Sequence, residues 1–166
     1  MKFLTGTLLC STILLLTGCS SSSTTPAAAT TALTSIDGIW QSACQAIEMD
    51  GGDFSFQVTF TANGGNSVVI QDSFNGLTCE GDNLDEDGPE NETYTLGDVV
   101  TVDGSVASIT SATKIDLTDK DGVTSYNIVA INGNNLYIGD DDEDDSIGET
   151  EENRPEQLTN FALVKQ

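Results

Sequence analysis

Residues Phe54-Ser55-Phe56-Gln57-Val58-Thr59-Phe60-Thr61 alternate strictly, with three Phe and one Val on one parity and four polar side chains on the other. A two-residue period puts every apolar side chain on one face of an extended strand, whereas an amphipathic helix needs its stripe to recur every 3.6 residues. The segment therefore predicts a half-buried antiparallel strand. Asn63-Gly64-Gly65-Asn66 follows as a hairpin turn, because Asn and Gly accept positive φ, and Ser67 to Gln71 leads away as the partner strand.

The pattern repeats downstream. Thr93–Leu96 and Val99–Val102 predict short strands, the second ending at the turn Asp103-Gly104. Ile109 to Leu117 runs to the turn at Asp119–Gly122, and Val123 to Ile131 returns as a second hairpin. Asn132–Asn135 turns into Leu136–Ile138, and Leu158 to Val164 closes the chain. No 3.6-residue amphipathic stretch of helical length occurs in residues 36–166. About eight strands joined mostly by tight turns predict an all-β, antiparallel up-and-down fold, and closing it into a barrel removes its free edges.

The 166 residues amount to one domain. They carry 27 Asp+Glu against 5 Lys+Arg and no His, a formal charge of −22 at pH 7. Such a chain repels phosphate backbones, which excludes nucleic acid as a partner. Without histidine there is no Ser-His-Asp or Cys-His nucleophile and no HExxH zinc site. Carboxylates are abundant, but nothing selects a pair beside an aromatic cleft as glycoside hydrolysis requires. The chain reads as a protein that is not an enzyme and has no cofactor.

Asn83-Leu84-Asp85-Glu86-Asp87-Gly88 fits the first half of a calcium-binding EF-hand loop, with oxygen ligands at alternate positions and a Gly for the turn. Its twelfth position is Tyr94 in place of a bidentate Glu, and Pro89 interrupts it, so it reads as a solvated loop. Asp140 to Asp145 is a run of six contiguous carboxylates, which repel one another and predict an exposed loop. Both acidic stretches are candidates for weak Ca2+ association, without a specific metal site.

At the N-terminus, one cation, Lys2, precedes an apolar run that ends in Leu14-Leu15-Leu16, too short to span a bilayer. The following Leu16-Thr17-Gly18-Cys19 resembles the lipobox of bacterial lipoproteins. That resemblance implies a signal peptide over residues 1–18, removed so that Cys19 becomes the first residue and carries acyl chains, palmitate among them. Each buried methylene contributes about 0.8 kcal/mol, so acylated Cys19 suffices as an anchor in the lipid bilayer. Ser20, where Asp would signal retention, implies sorting to the cell outer membrane. Residues 19–35 form a Ser/Thr/Ala-rich tether with a reach on the order of 20 Å, and residues 36–166 the folded domain.

Cys10 leaves with the signal and Cys19 carries lipid, so Cys44 and Cys79 remain. In an oxidising envelope they predict one disulfide, with a pair of free thiols as the rival state.

Gly38-Ile39-Trp40 at the first strand matches the G-x-W that opens lipocalin-type barrels. With Cys44, Cys79 and a last strand introduced by Arg154-Pro155, the domain resembles small lipocalin-like bacterial lipoproteins. The resemblance implies that Gly38, Trp40 and a basic residue form a structural motif at the closed end. Arg154 precedes the final strand and Lys165 follows it, and the sequence leaves open which meets Trp40. It also implies a membrane-anchored binding module for a small apolar or amphiphilic ligand, whose contact residues the sequence does not name. The alternative is a structural, acidic surface lipoprotein without a small-molecule ligand.

Overall fold

The Gly64-Gly65 turn joins β3 (Phe54–Asn63) and β4 (Asn66–Asn75) in a computed structural model that describes residues 32–48, 52–81, 83–140 and 146–166, the side chains of 85–87 excepted. The expected signal peptide over residues 1–18, Cys19, the expected tether up to residue 31 and residues 141–145 of the acidic run lie outside the described residues. The two strands pair along their whole length, from Phe54 opposite Asn75 to Asn63 opposite Asn66.

Chain closure depends on β5 (Asn83–Thr101), which is 19 residues long. Its first part pairs with β4, ending at Thr93 opposite Asn66. Its second part pairs with β6 (Ser111–Asp119), beginning at Glu92 opposite Asp119. Two neighbours are thus offset by nearly a strand length, the stagger a barrel needs to close. Then β7 (Thr124–Asn132), β8 (Asn135–Gly139) and β9 (Leu158–Lys165) follow as antiparallel neighbours. The first strand, β1 (Gly38–Ser42), pairs on one edge with β9 and on the other with β3, which completes the ring. A short β2 (Gln45–Ile47) continues along β3 as an extra strand. The result is the expected antiparallel up-and-down barrel of eight strands.

Two local expectations are corrected. Thr93–Leu96 and Val99–Val102 are not separate strands: both fall on β5, which has a register shift between Leu96 and Val99 and ends at Thr101, leaving Val102 to the connection with β6. Residues 83–88 are the start of the same strand rather than a loop. Pairing with the ten-residue β4 supplies backbone partners to an acidic segment that composition alone would leave in solvent. Along β3, Phe60 is buried and Val58 packs on the core, whereas Phe54 and Phe56 are half-buried. There β3 has run past its pairing with β1 and borders β2 and β4 instead.

Two apolar clusters result. Inside the barrel lie Ile36, Trp40, Phe60, Tyr94, Ile115, Val129, Leu136 and Leu163. Outside its wall, Val102 and Val106 of the β5–β6 connection cover Ala112, Ile128, Ala130, Tyr137 and Leu158. Strand alternation requires this arrangement: with Val129 inward, Ile128 and Ala130 must point out, and a connecting segment shields them. Both faces of β7 are therefore apolar over Ile128–Ala130.

Cys44 and Cys79 form a disulfide, with Cα atoms 5.6 Å apart and a sequence separation of 35. It ties the β1–β2 junction to the segment that connects β4 with β5. In the chain-entropy model a loop of this size is worth about 3.8 kcal/mol. Replacing both cysteines by Ser should lower the unfolding free energy by about that amount in a denaturant titration; a loss below about 1 kcal/mol would contradict the entropic role. The second cluster makes a sharper prediction. Ile128→Ala should cost about 2–5 kcal/mol although it lies on the outer wall, and Val164→Ala, 42% exposed on that same surface, should stay within about 0.5 kcal/mol.

Candidate functional site: the two ends of the barrel

Residues 32–37 cross one end of the barrel. Leu33 N donates to Thr113 Oγ1 at 3.0 Å, and Ile36 is buried in the inner cluster. Trp40 is 1% exposed, and its indole Nε1 donates to Ile36 O at 2.8 Å, which satisfies the polar edge of a buried ring. Lys165 Nζ lies 5.0 Å from the centre of that ring and donates to Asp37 O at 3.2 Å. Gly38, at φ +146°, makes room for this lysine, since a Cβ there would stand 2.9 Å from Lys165 Cε. Asp37 Oδ1 accepts from Tyr94 Oη at 2.8 Å and from Gly64 N at 2.9 Å. The Tyr94 hydroxyl first, then the Gly64 amide, hold its carboxyl below the usual carboxylate range.

Lys165, then, is the basic partner of Trp40. Arg154 stands at the far end of β9, eight residues of extended strand away. Its guanidinium lies 5.3 Å from the centre of the Tyr126 ring and donates to Asp116 Oδ1 at 2.6 Å, to Ile115 O at 2.9 Å and to Asn127 O. The side chain is 7% exposed, so Arg154 fastens the segment before β9 onto β6 and β7.

The other end is open. A hollow of about 650 Å³ is lined by Val69, Leu117, Val123, Tyr126 and Ile147, together with Glu90, Glu92 and Glu149. Glu90 and Glu92 share the parity of Tyr94 and Leu96, which face the inner cluster, so their carboxylates belong to the inner side of β5. Glu92 sits opposite Ser67 on β4 and Asp119 on β6. Burial raises its pKa above the ordinary glutamate value, and the charges of Glu90 and Asp119 raise it further. Ser67 is 1% exposed, and its hydroxyl has no hydrogen-bond partner among the described residues. Reading residues 83–88 as a solvated loop leaves this acidic rim out of sight; parity with Tyr94 reveals it once β5 is one strand.

No group of three metal-ligating side chains converges among the described residues. The half EF-hand motif is extended in β5, and an extended strand does not wrap an ion as the EF-hand loop does. The two ends thus differ chemically: one sealed by an aromatic ring under a lysine, the other an apolar hollow edged with carboxylates.

The raised pKa of Glu92 means that folding favours its protonated form. Its contribution is most favourable below the unfolded pKa and is lost as pH rises through the folded one. Glu92→Gln should therefore raise the melting temperature at neutral pH, by about 2 °C for a partly exposed carboxylate, with the gain vanishing in acid. An unchanged or lower melting temperature at neutral pH would refute the burial and repulsion of the Glu92 carboxylate described here. At the closed end, Lys165→Met should cost about 0.5–1 kcal/mol, read by the same melting experiment.

No family model, no curated protein and no solved structure matches this chain.

Proposed function

We propose that the chain is an exported bacterial lipoprotein, held at the envelope, in the outer membrane, through acylated Cys19, and that its barrel acts by binding rather than by catalysis. The lipobox-like Leu16-Thr17-Gly18-Cys19 and the uncharged stretch after it support the anchor. The ligand this reading assigns is a small amphiphile with a cationic group. The observation that carries it is the open hollow, where Val69 and Leu117 offer apolar contact beside Glu90 and Glu92. Burying the hydrocarbon contributes about 25 cal/mol per Å², while the carboxylates favour a positive head and reject an anionic one.

One observation favours a second reading. The inner cluster around Trp40, Phe60 and Leu136 already fills the closed half of the barrel, as small barrels often do. On that reading the protein is an acidic surface lipoprotein that works through its charge and weak Ca2+ association, with no small-molecule ligand.

Growth with labelled palmitate should label the wild-type protein and leave Cys19→Ser unlabelled and free of the membrane fraction; label retained in the variant would sink the anchor. For the ligand, dodecyltrimethylammonium below its micelle concentration should raise the melting temperature, by the equivalent of about 2.7 kcal/mol at a hundredfold excess over Kd. Dodecyl sulfate should not, and Glu90→Gln/Glu92→Gln should abolish the rise. An equal response to both detergents, or none to the cationic one, overturns the assignment.

A further inference from the structure

Three Asn-Gly pairs sit at the ends of strands: Asn63-Gly64 after β3, Asn75-Gly76 after β4 and Asn132-Gly133 after β7. All three asparagines are exposed, and in each case glycine leaves the backbone nitrogen sterically open. They differ in what that nitrogen does. Gly64 N donates to the carboxylate of Asp37 at 2.9 Å, and Gly76 N donates to Asp53 O at 3.0 Å. Nothing among the described residues accepts from Gly133 N, which projects from the tip of the β7–β8 hairpin at φ +63°.

We propose that Asn132 is a site of spontaneous covalent modification, converting to aspartate and isoaspartate, and that the fold selects it over Asn63 and Asn75. Gly133 N loses its proton and attacks Asn132 Cγ. A C–N bond forms to the backbone, the bond from Cγ to Nδ2 breaks, and ammonia leaves with the proton balance made up from water. The five-membered imide then adds one water at either carbonyl and opens to aspartate or isoaspartate. The balance is asparagine plus water to an acid plus ammonia, and water is the sole co-reactant.

Selection follows from the first step, because an attacking nitrogen must shed its proton. The Asp37 carboxylate holds the Gly64 proton and its negative charge opposes formation of an amide anion; the Asp53 carbonyl holds the Gly76 proton. Asn132 should therefore react about tenfold faster, the rate equivalent of one such hydrogen bond.

The site also has a structural readout. Asn134 O, two residues on, accepts from Lys165 N at 2.8 Å. Isoaspartate at 132 lengthens the backbone by one carbon inside a tight hairpin, and Lys165, whose ammonium lies over Trp40, is displaced with it. The modification adds a negative charge next to the closed end and loosens the contact that seals it.

The test is peptide mapping by mass spectrometry of the full chain, aged in mildly alkaline buffer below its melting temperature. Asn132 is expected to lead by about tenfold, and in denaturant all three sites should converge, since the sequence after each Asn begins with Gly. Equal rates in the folded protein, or the same ranking when unfolded, would overturn the proposal. Asp37→Ala should release Gly64 N and raise the rate at Asn63 while Asn132 is unchanged; no rise at Asn63 in a folded variant would also overturn it.

Discussion

The five residues of β1 carry two ladders at once, with Trp40 opposite Phe60 on β3 and opposite Lys165 on β9, so the ring of strands is joined through this one short segment. What keeps so short a strand in register is the burial of Trp40. Its ring is covered by Lys165 and its indole nitrogen is tied to Ile36. A slip by one residue would turn the tryptophan to solvent and expose most of a large aromatic surface. Gly38 belongs to the same device, because a side chain there would push Lys165 away.

Around that joint the wall is asymmetric. The β4–β5–β6 stagger gives one end a set of inward apolar side chains that meet across the interior. At the other end it brings inward positions of β5 occupied by Glu90 and Glu92 up against Val69 and Leu117. Glu90 stays exposed to water there, whereas burial first, and then the charges of Glu90 and Asp119, raise the pKa of Glu92. The sealed end is filled by its own side chains, as small barrels often are, and the other end leaves an apolar hollow edged with carboxylates.

Much of this was legible from residue order. The alternation at Phe54–Thr61 and the turns at Gly64-Gly65, Asp119–Gly122 and Gly133-Asn134 identified strands that the structure contains, because period and turn chemistry are local properties. The Cys44–Cys79 bridge was expected from counting. What local reading missed was the long β5: its acidic first part resembles a solvated loop, and only a paired β4 makes it a strand. The partner of Trp40 was equally illegible, since Arg154 and Lys165 bracket the same strand and choosing between them requires knowing which end faces the ring.

By itself, then, the sequence determined the class of fold and the places where the chain reverses, since each depends on side-chain parity or turn residues within a short window, while the disulfide was one of two states the cysteine count of the whole chain left open. Tertiary structure decided which basic residue seals the barrel, why Ile128 is apolar while pointing outward, and where Glu90 and Glu92 meet an apolar hollow. Those outcomes depend on the offset between strands and on which segment covers which face. Such quantities belong to the closed sheet as a whole, and no window of residues contains them.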